Sequence, residues 1–107
     1  MNILAIDIGG TAVKSALFTS DGECVQSGET PSNGKLGGPR LMRTVQEVIG
    51  AYKGYEAIGV STTGQVNARE GTIVFANENV PNYTGTAVGP ILSDAFHVPV
   101  GVVKFVL

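Results

Sequence analysis

The chain has 107 residues, of which 43% are hydrophobic and 15% charged, with a net charge of -2 and one cysteine. This length suits about one domain, and the charge balance gives no electrostatic support for nucleic-acid binding. Cys24 alone can form neither an internal disulfide nor a zinc site, and no apolar run approaches the ~20 residues of a membrane span, so a cytoplasmic protein with no membrane partner is expected.

In chain order, residues 2–8 read as a central strand that ends in Asp7-Ile8-Gly9-Gly10-Thr11. Residues 14–20 read as a second strand, Asp21-Gly22 as a hairpin turn, and residues 23–29 as a third strand. Residues 31–39, rich in Gly and Pro, read as a surface loop. Leu41, Val45, Val48 and Ile49 recur at helical spacing, which predicts an amphipathic helix to about Tyr52, stopped near Gly54. Residues 57–61 form a short strand with a loop after it at 62–65, and residues 72–76 another strand entered by the turn Arg69-Glu70-Gly71. Residues 77–85 are polar and turn-rich. Val88, Ile91, Leu92 and Ala95 mark a second helix with Pro90 in its first turn. Residues 98–107 are almost wholly apolar and read as a closing strand buried on both faces. The fold class is α/β, a mixed sheet in the order β-β-β-α-β-β-α-β, within one domain.

The first turn carries the chemistry. Asp7 offers an oxygen ligand for Mg²⁺, and Gly9 and Gly10 offer positive φ and close backbone approach. Successive N–H groups there can form an anion nest, with Thr11 and Lys14 adding a hydroxyl and a cation. Phosphoryl transfer needs this set because the protein mainly positions and neutralises charge. The same residues also fit a plain Gly-Gly turn capped by Asp7. Neither the Walker ending nor the Gly-x-Gly-x-x-Gly spacing is present. Residues 61–67 offer hydroxyls and, at Gly64, exposed main chain to a polyhydroxylated ligand, and Asn77, Asn79 and Asn82 offer amides. Taken alone, each cluster reads more readily as a solvated turn than as a ligand site. His97 fits a helix C-terminus favoured by the dipole.

Asp7-Ile8-Gly9-Gly10-Thr11, the Asp21-Gly22 hairpin, Gly59-Val60-Ser61-Thr62-Thr63-Gly64-Gln65-Val66-Asn67 and Glu70-Gly71-Thr72-Ile73-Val74 together resemble the amino-terminal half of the ROK family. So does the helix before Val98-Pro99-Val100. That family holds bacterial sugar kinases and sugar-responsive repressors. The resemblance implies a ribonuclease-H-like, actin-like ATPase fold of two lobes around a cleft. It places Asp7, Gly9, Gly10, Thr11 and Lys14 towards ATP phosphates and Mg²⁺, Gly64 and Gln65 in the sugar-contacting loop, and Asn79 at the sugar's border. Asn82 and Tyr83 stand where the family usually has Gly and Trp. The Gly64-Gln65-Val66-Asn67 stretch looks closest to hexose, β-glucoside or N-acetylmannosamine kinases.

After Val-Pro-Val the family reads Glu-Asn-Asp, and that Asp is its catalytic base. Here the chain continues Gly101-Val102-Val103-Lys104-Phe105-Val106-Leu107. No residue of this chain is therefore assigned to catalysis. The expectation is residues 1–107 as the amino-terminal lobe of a sugar kinase, truncated near residue 101 and inactive alone, its carboxy-terminal lobe absent. The alternatives are a fragment of a ROK regulator or a sugar- or phosphate-binding module that associates with itself. The charged fraction is below the roughly 25% of an average soluble domain. That value and the apolar tail lead to the expectation of a homo-oligomer, although a compact domain with a buried sheet would explain both.

Overall fold

Alternating side chains set the two faces of a five-stranded sheet. The computed structural model describes residues 1–104. Strands β1 (Ile3–Ile8), β2 (Ala12–Phe18) and β3 (Cys24–Pro31) form an antiparallel meander; β4 (Ala57–Thr62) and β7 (Val100–Lys104) add in parallel, giving the order β3-β2-β1-β4-β7. Leu4, Ile6 and Ile8 of β1 point to one face with Val13, Leu17, Ile58, Val60 and Val102, and all are buried.

Helix α1 (Gly38–Gly50) covers that face with Leu41, Met42, Val45 and Ile49, spaced along one helical stripe. Helix α2 (Val88–Phe96) adds Val88 and Leu92 to the same core. At roughly 1.5–3 kcal/mol for each fully buried aliphatic side chain, this layer is the main stabilising term of the fold. Strands β5 (Gln65–Asn67) and β6 (Thr72–Phe75) pair as a separate hairpin. Gly71 and Gly89 let it dock on α2: a Cβ on Gly71 would lie 3.1 Å from the Gly89 Cα, and Gly89 N–H donates to Gly71 O at 2.9 Å.

The opposite face is open. Ala16, Ala5, Gly59 and Gly101 line up across four neighbouring strands, and beside them runs the row Lys14, Asp7, Ser61, Val103. This floor borders an apolar hollow of about 540 Å³. The mixed sheet with its helices is the expected α/β architecture. The structure adds β5 and a single 3₁₀ turn at Gly34–Leu36 to the expected order.

Three expectations change. Strand β2 begins at Ala12 rather than Lys14, because the β1–β2 connection is only Gly9 to Thr11. Helix α1 begins at Gly38, inside the expected loop, with Pro39 in its first turn. The closing strand is not buried on both faces: Val102 is buried but Val103 is 55% exposed, since β7 is the sheet edge and only one face carries helices. Residues 105–107 of that expected strand lie outside the described residues.

Candidate functional site

The carboxyl ends of three parallel strands meet at one edge. Ile8 pairs in register with Thr62, and Thr62 with Lys104. Open α/β sheets bind ligands at such an edge. A hollow of about 310 Å³ lies there, lined by Asp7, Gly9, Gly10, Thr63, Gly64 and Lys104, with Ile8.

Asp7 is half-buried on the open face of β1, and its Oδ1 accepts a 3.0 Å hydrogen bond from Ser61 Oγ. This fixes the carboxylate and leaves its second oxygen without a protein partner among the described residues. Magnesium takes one or two carboxylates together with phosphate oxygens and retained water, so this single carboxylate fits the ion. Among the described residues no cluster of three His, Cys, Asp or Glu could hold a metal by itself.

The turn is tethered from behind. Gly9 N–H donates to Ala12 O at 2.9 Å, Ser32 N–H to Thr11 O at 3.0 Å and Gly34 N–H to Gly10 O at 3.3 Å. In a trans peptide the C=O and the following N–H point opposite ways. With Gly10 O turned to Gly34, the Thr11 N–H points away from that tether. Neither Gly10 N–H nor Thr11 N–H has a protein partner among the described residues.

The positive φ expected of these glycines is absent, whereas the space expected for close backbone approach is present at Gly10. Neither Gly9 nor Gly10 has a positive φ. A Cβ on Gly9 would lie 3.1 Å from Ala12 O, a tight contact within the hairpin that favours glycine. A Cβ on Gly10 would meet nothing closer than Asn79 Cβ at 4.0 Å. Nothing in the fold explains glycine at Gly10, and the bare backbone there leaves room for a ligand. Gly34 is packed tightly: its Cβ would lie 2.8 Å from Gly10 O and 3.0 Å from Asn79 O.

The other candidate residues divide. Asn79 sits next to Gly10, held by a 2.9 Å bond from its N–H to Asn77 Oδ1. Gly64 lines the hollow with φ +92°, and a Cβ there would lie 2.8 Å from Phe75 O, so its own backbone requires glycine. Gln65 is exposed on β5 and does not line the hollow. Thr11 borders a neighbouring depression with Asn33 and Lys35. Lys14 lies opposite Asp7 in the register, yet it lines the open sheet face and makes no ion pair with Asp7 within 4.0 Å among the described residues. Asn67 spends its side chain on its own turn, accepting from Arg69 and Glu70 N–H and donating to Glu70 Oε1.

Sequence reasoning missed two features. Lys104 brings a cation to the hollow from the end of β7, concealed in an apolar tail. Thr62 and Tyr83, both fully buried, share a 2.7 Å hydroxyl bond that ties residues 77–85 to the end of β4. Burial pushes the Tyr83 phenol above its usual range, partly offset by the bond to Thr62. An aromatic residue with a polar tip among turn residues was the available signal.

A family model described as "ROK family" matches residues 3–105. An uncharacterized protein of Clostridium perfringens, CPE0188, is 36% identical over 97 residues, covering 88% of this chain and 33% of that protein. The β-glucoside kinase of Klebsiella pneumoniae is 29% identical over 75 residues, covering 70% of this chain and 25% of the enzyme. Among solved structures, the ROK hexokinase of Thermus thermophilus superposes with a TM-score of 0.84 at 26% identity, covering 97% of this chain and 35% of the hexokinase. The chain thus spans a quarter to a third of the length of the curated relatives it matches.

Proposed function

The chain belongs to the ROK family and has the ribonuclease-H-like α/β fold of its sugar kinases, and from that premise we propose that it forms the amino-terminal part of an enzyme that transfers the ATP γ-phosphate to a sugar hydroxyl. The observation that carries this reading is the unpartnered pair of N–H groups at Gly10 and Thr11 beside the half-buried Asp7 carboxylate. Two such donors and one oxygen ligand suit a metal-bound polyphosphate.

In this reading Asp7 holds Mg²⁺, and Gly9, Gly10 and Thr11 cradle the phosphates, with Lys14 contributing positive charge from the neighbouring strand. The ion neutralises phosphate charge when bound. Gly64, which lines the hollow, borders the sugar, with Asn79 at the margin beside Gly10 and Gln65 adjacent to Gly64 in the chain. The sugar belongs to the hexose, β-glucoside or N-acetylmannosamine class, in keeping with the β-glucoside kinase and hexokinase relatives.

The chain by itself does not catalyse transfer. Asp7 is the only carboxylate lining the hollow among the described residues, and metal binding occupies it. Among the described residues no second carboxylate lines the hollow to take the proton from the sugar. The work is done in the cytoplasm, where ATP is plentiful. The open edge of β7 and the apolar sheet face support a homo-oligomer, which light scattering reads directly.

Calorimetric titration tests the nucleotide site. Mg·ATP binds saturably, and Asp7→Asn removes the gain in affinity that Mg²⁺ gives over ATP alone. Equal Mg²⁺ dependence in both proteins contradicts the assignment of Asp7.

A further inference from the structure

The hollow that holds Asp7 and the phosphate turn also contains a cation to which the proposed transfer gives no role. Lys104 lines it from the carboxyl end of β7, whereas Lys14 lies outside it on the open sheet face. Asp7 and Lys104 are the only charged side chains lining this hollow among the described residues, so its lining is balanced in charge before any ligand enters. Lys104 makes no ion pair within 4.0 Å among the described residues.

The sheet places this ammonium. Lys104 pairs in register with Thr62, and Thr62 with Ile8, so Lys104 stands two strands from the start of the phosphate turn, roughly 10 Å at the usual strand spacing. Thr62 is fully buried and shares its 2.7 Å hydroxyl bond with Tyr83, which anchors the strand end against which Lys104 is paired. A lysine carries its charge on a flexible four-carbon stem that reaches back across such a gap. Thr63 and Gly64 continue from β4, the strand between, and line the same hollow.

A neutral sugar gains little from an ammonium, and a metal-bound triphosphate is already neutralised by its ion. A phosphate monoester is different. It carries a charge of about -1.5 to -2 at pH 7 and three acceptor oxygens. Two N–H donors, at Gly10 and Thr11, and one ammonium match those oxygens. The Asp7 carboxylate opposes such a guest, Lys104 offsets it, and the amides tip the balance towards the anion. We propose that Lys104 and the Gly10 and Thr11 N–H groups form a metal-independent site for the phosphate group of a phosphorylated sugar, whose ring lies against Thr63 and Gly64. This inference rests on the reading of the turn as a phosphate site. It adds a ligand class and a regulation to that site: the sugar phosphate and Mg·ATP exclude one another at the turn.

The test is ¹H–¹⁵N NMR titration of the chain with D-glucose 6-phosphate, D-glucose and inorganic phosphate, in chelator and without Mg²⁺. Glucose 6-phosphate moves the amide signals of Gly10, Thr11 and Lys104 along one saturable curve, and glucose leaves them still. Inorganic phosphate moves the same signals but binds at least about fivefold more weakly. Lys104→Gln weakens glucose 6-phosphate about five- to tenfold, and Lys104→Arg keeps it within about twofold. Lys104 is exposed, so both variants unfold at the wild-type temperature. In a separate titration in Mg²⁺ without chelator, Mg·ATP displaces glucose 6-phosphate.

The site is overturned if glucose 6-phosphate leaves Lys104 still, if Lys104→Gln binds it like the wild type, if inorganic phosphate binds as tightly, or if Mg·ATP and glucose 6-phosphate bind together. Shifts at Gly10 and Thr11 with Mg·ATP but none with glucose 6-phosphate sink this inference alone and leave the nucleotide reading standing. Silence at Gly10 and Thr11 with both ligands sinks both.

Discussion

Gly10→Ala separates ligand approach from folding. A Cβ at this position meets only Asn79 Cβ at 4.0 Å, and the backbone φ is not positive. Alanine therefore fits the folded chain, and by restricting the unfolded chain it changes stability by about 0 to +1 kcal/mol. For a domain of this size that is a rise in Tm of at most about 4–8 °C. The methyl is attached at the Cα that separates the Gly10 and Thr11 N–H groups, which have no protein partner among the described residues, so a phosphate that approaches both must pass beside it. Hydrogen bonds to charged groups contribute about 1.5–3 kcal/mol each, so losing one or two weakens Mg·ATP by roughly tenfold or more. Calorimetric titration of wild type and variant, with thermal unfolding run alongside, measures both quantities. Unchanged Mg·ATP affinity with an unchanged Tm refutes the reasoning, because the amides would then make no contact that a methyl disturbs.

Gly34→Ala behaves oppositely. Its Cβ would press on Gly10 O and Asn79 O, and overpacking of this kind costs about 1–3 kcal/mol, read as a lower urea midpoint. Tyr83→Phe removes the buried bond to Thr62 and costs about 0.5–1.5 kcal/mol at neutral pH. Because burial raises the Tyr83 phenol in the folded state, its neutral form stabilises the fold fully below about pH 10, the ordinary phenol value. That contribution is lost as pH rises through the folded value, so the wild type loses stability above pH 10 more steeply than Tyr83→Phe in pH-dependent urea melts. The purified chain phosphorylates no hexose above blank in a coupled ADP assay, since a missing general base alone removes about 10²–10⁴ in rate; measurable turnover contradicts the assignment of Asp7 as the only carboxylate in the hollow.

Local pattern made most of the fold legible. Asp21-Gly22 gave the β2–β3 hairpin, and Gly22 takes φ +83° there. Leu41, Val45 and Ile49 gave the buried stripe of α1, although its start at Gly38 was hidden because glycine and proline signal loops as well as first turns. His97 stands at the C-terminal cap of α2, the place expected for it, where its backbone N–H donates to Ser93 O. The apolar run at β7 misled, because periodicity reports apolar content and not which sheet face carries helices. Strand β5 is three residues long, too short for a pattern to emerge. At the site, Asp7 and the adjacent turn were readable as a motif, but the packing around Gly9 was not: the Ala12 carbonyl that crowds a Cβ there belongs to the folded hairpin. The same holds for Lys104, Phe75 and the Thr62–Tyr83 bond, whose positions depend on register and on contacts distant in sequence.

The most direct measurement is an ¹H–¹⁵N NMR titration of the chain with Mg·ATP. The amide signals of Gly10 and Thr11 are expected to move first and furthest, along a saturable curve, with smaller movements at Gly9 and Thr63. Signals at Gly10 and Thr11 that stay fixed at millimolar Mg·ATP, in a chain whose spectrum is otherwise folded, would contradict the phosphate-binding role of this turn.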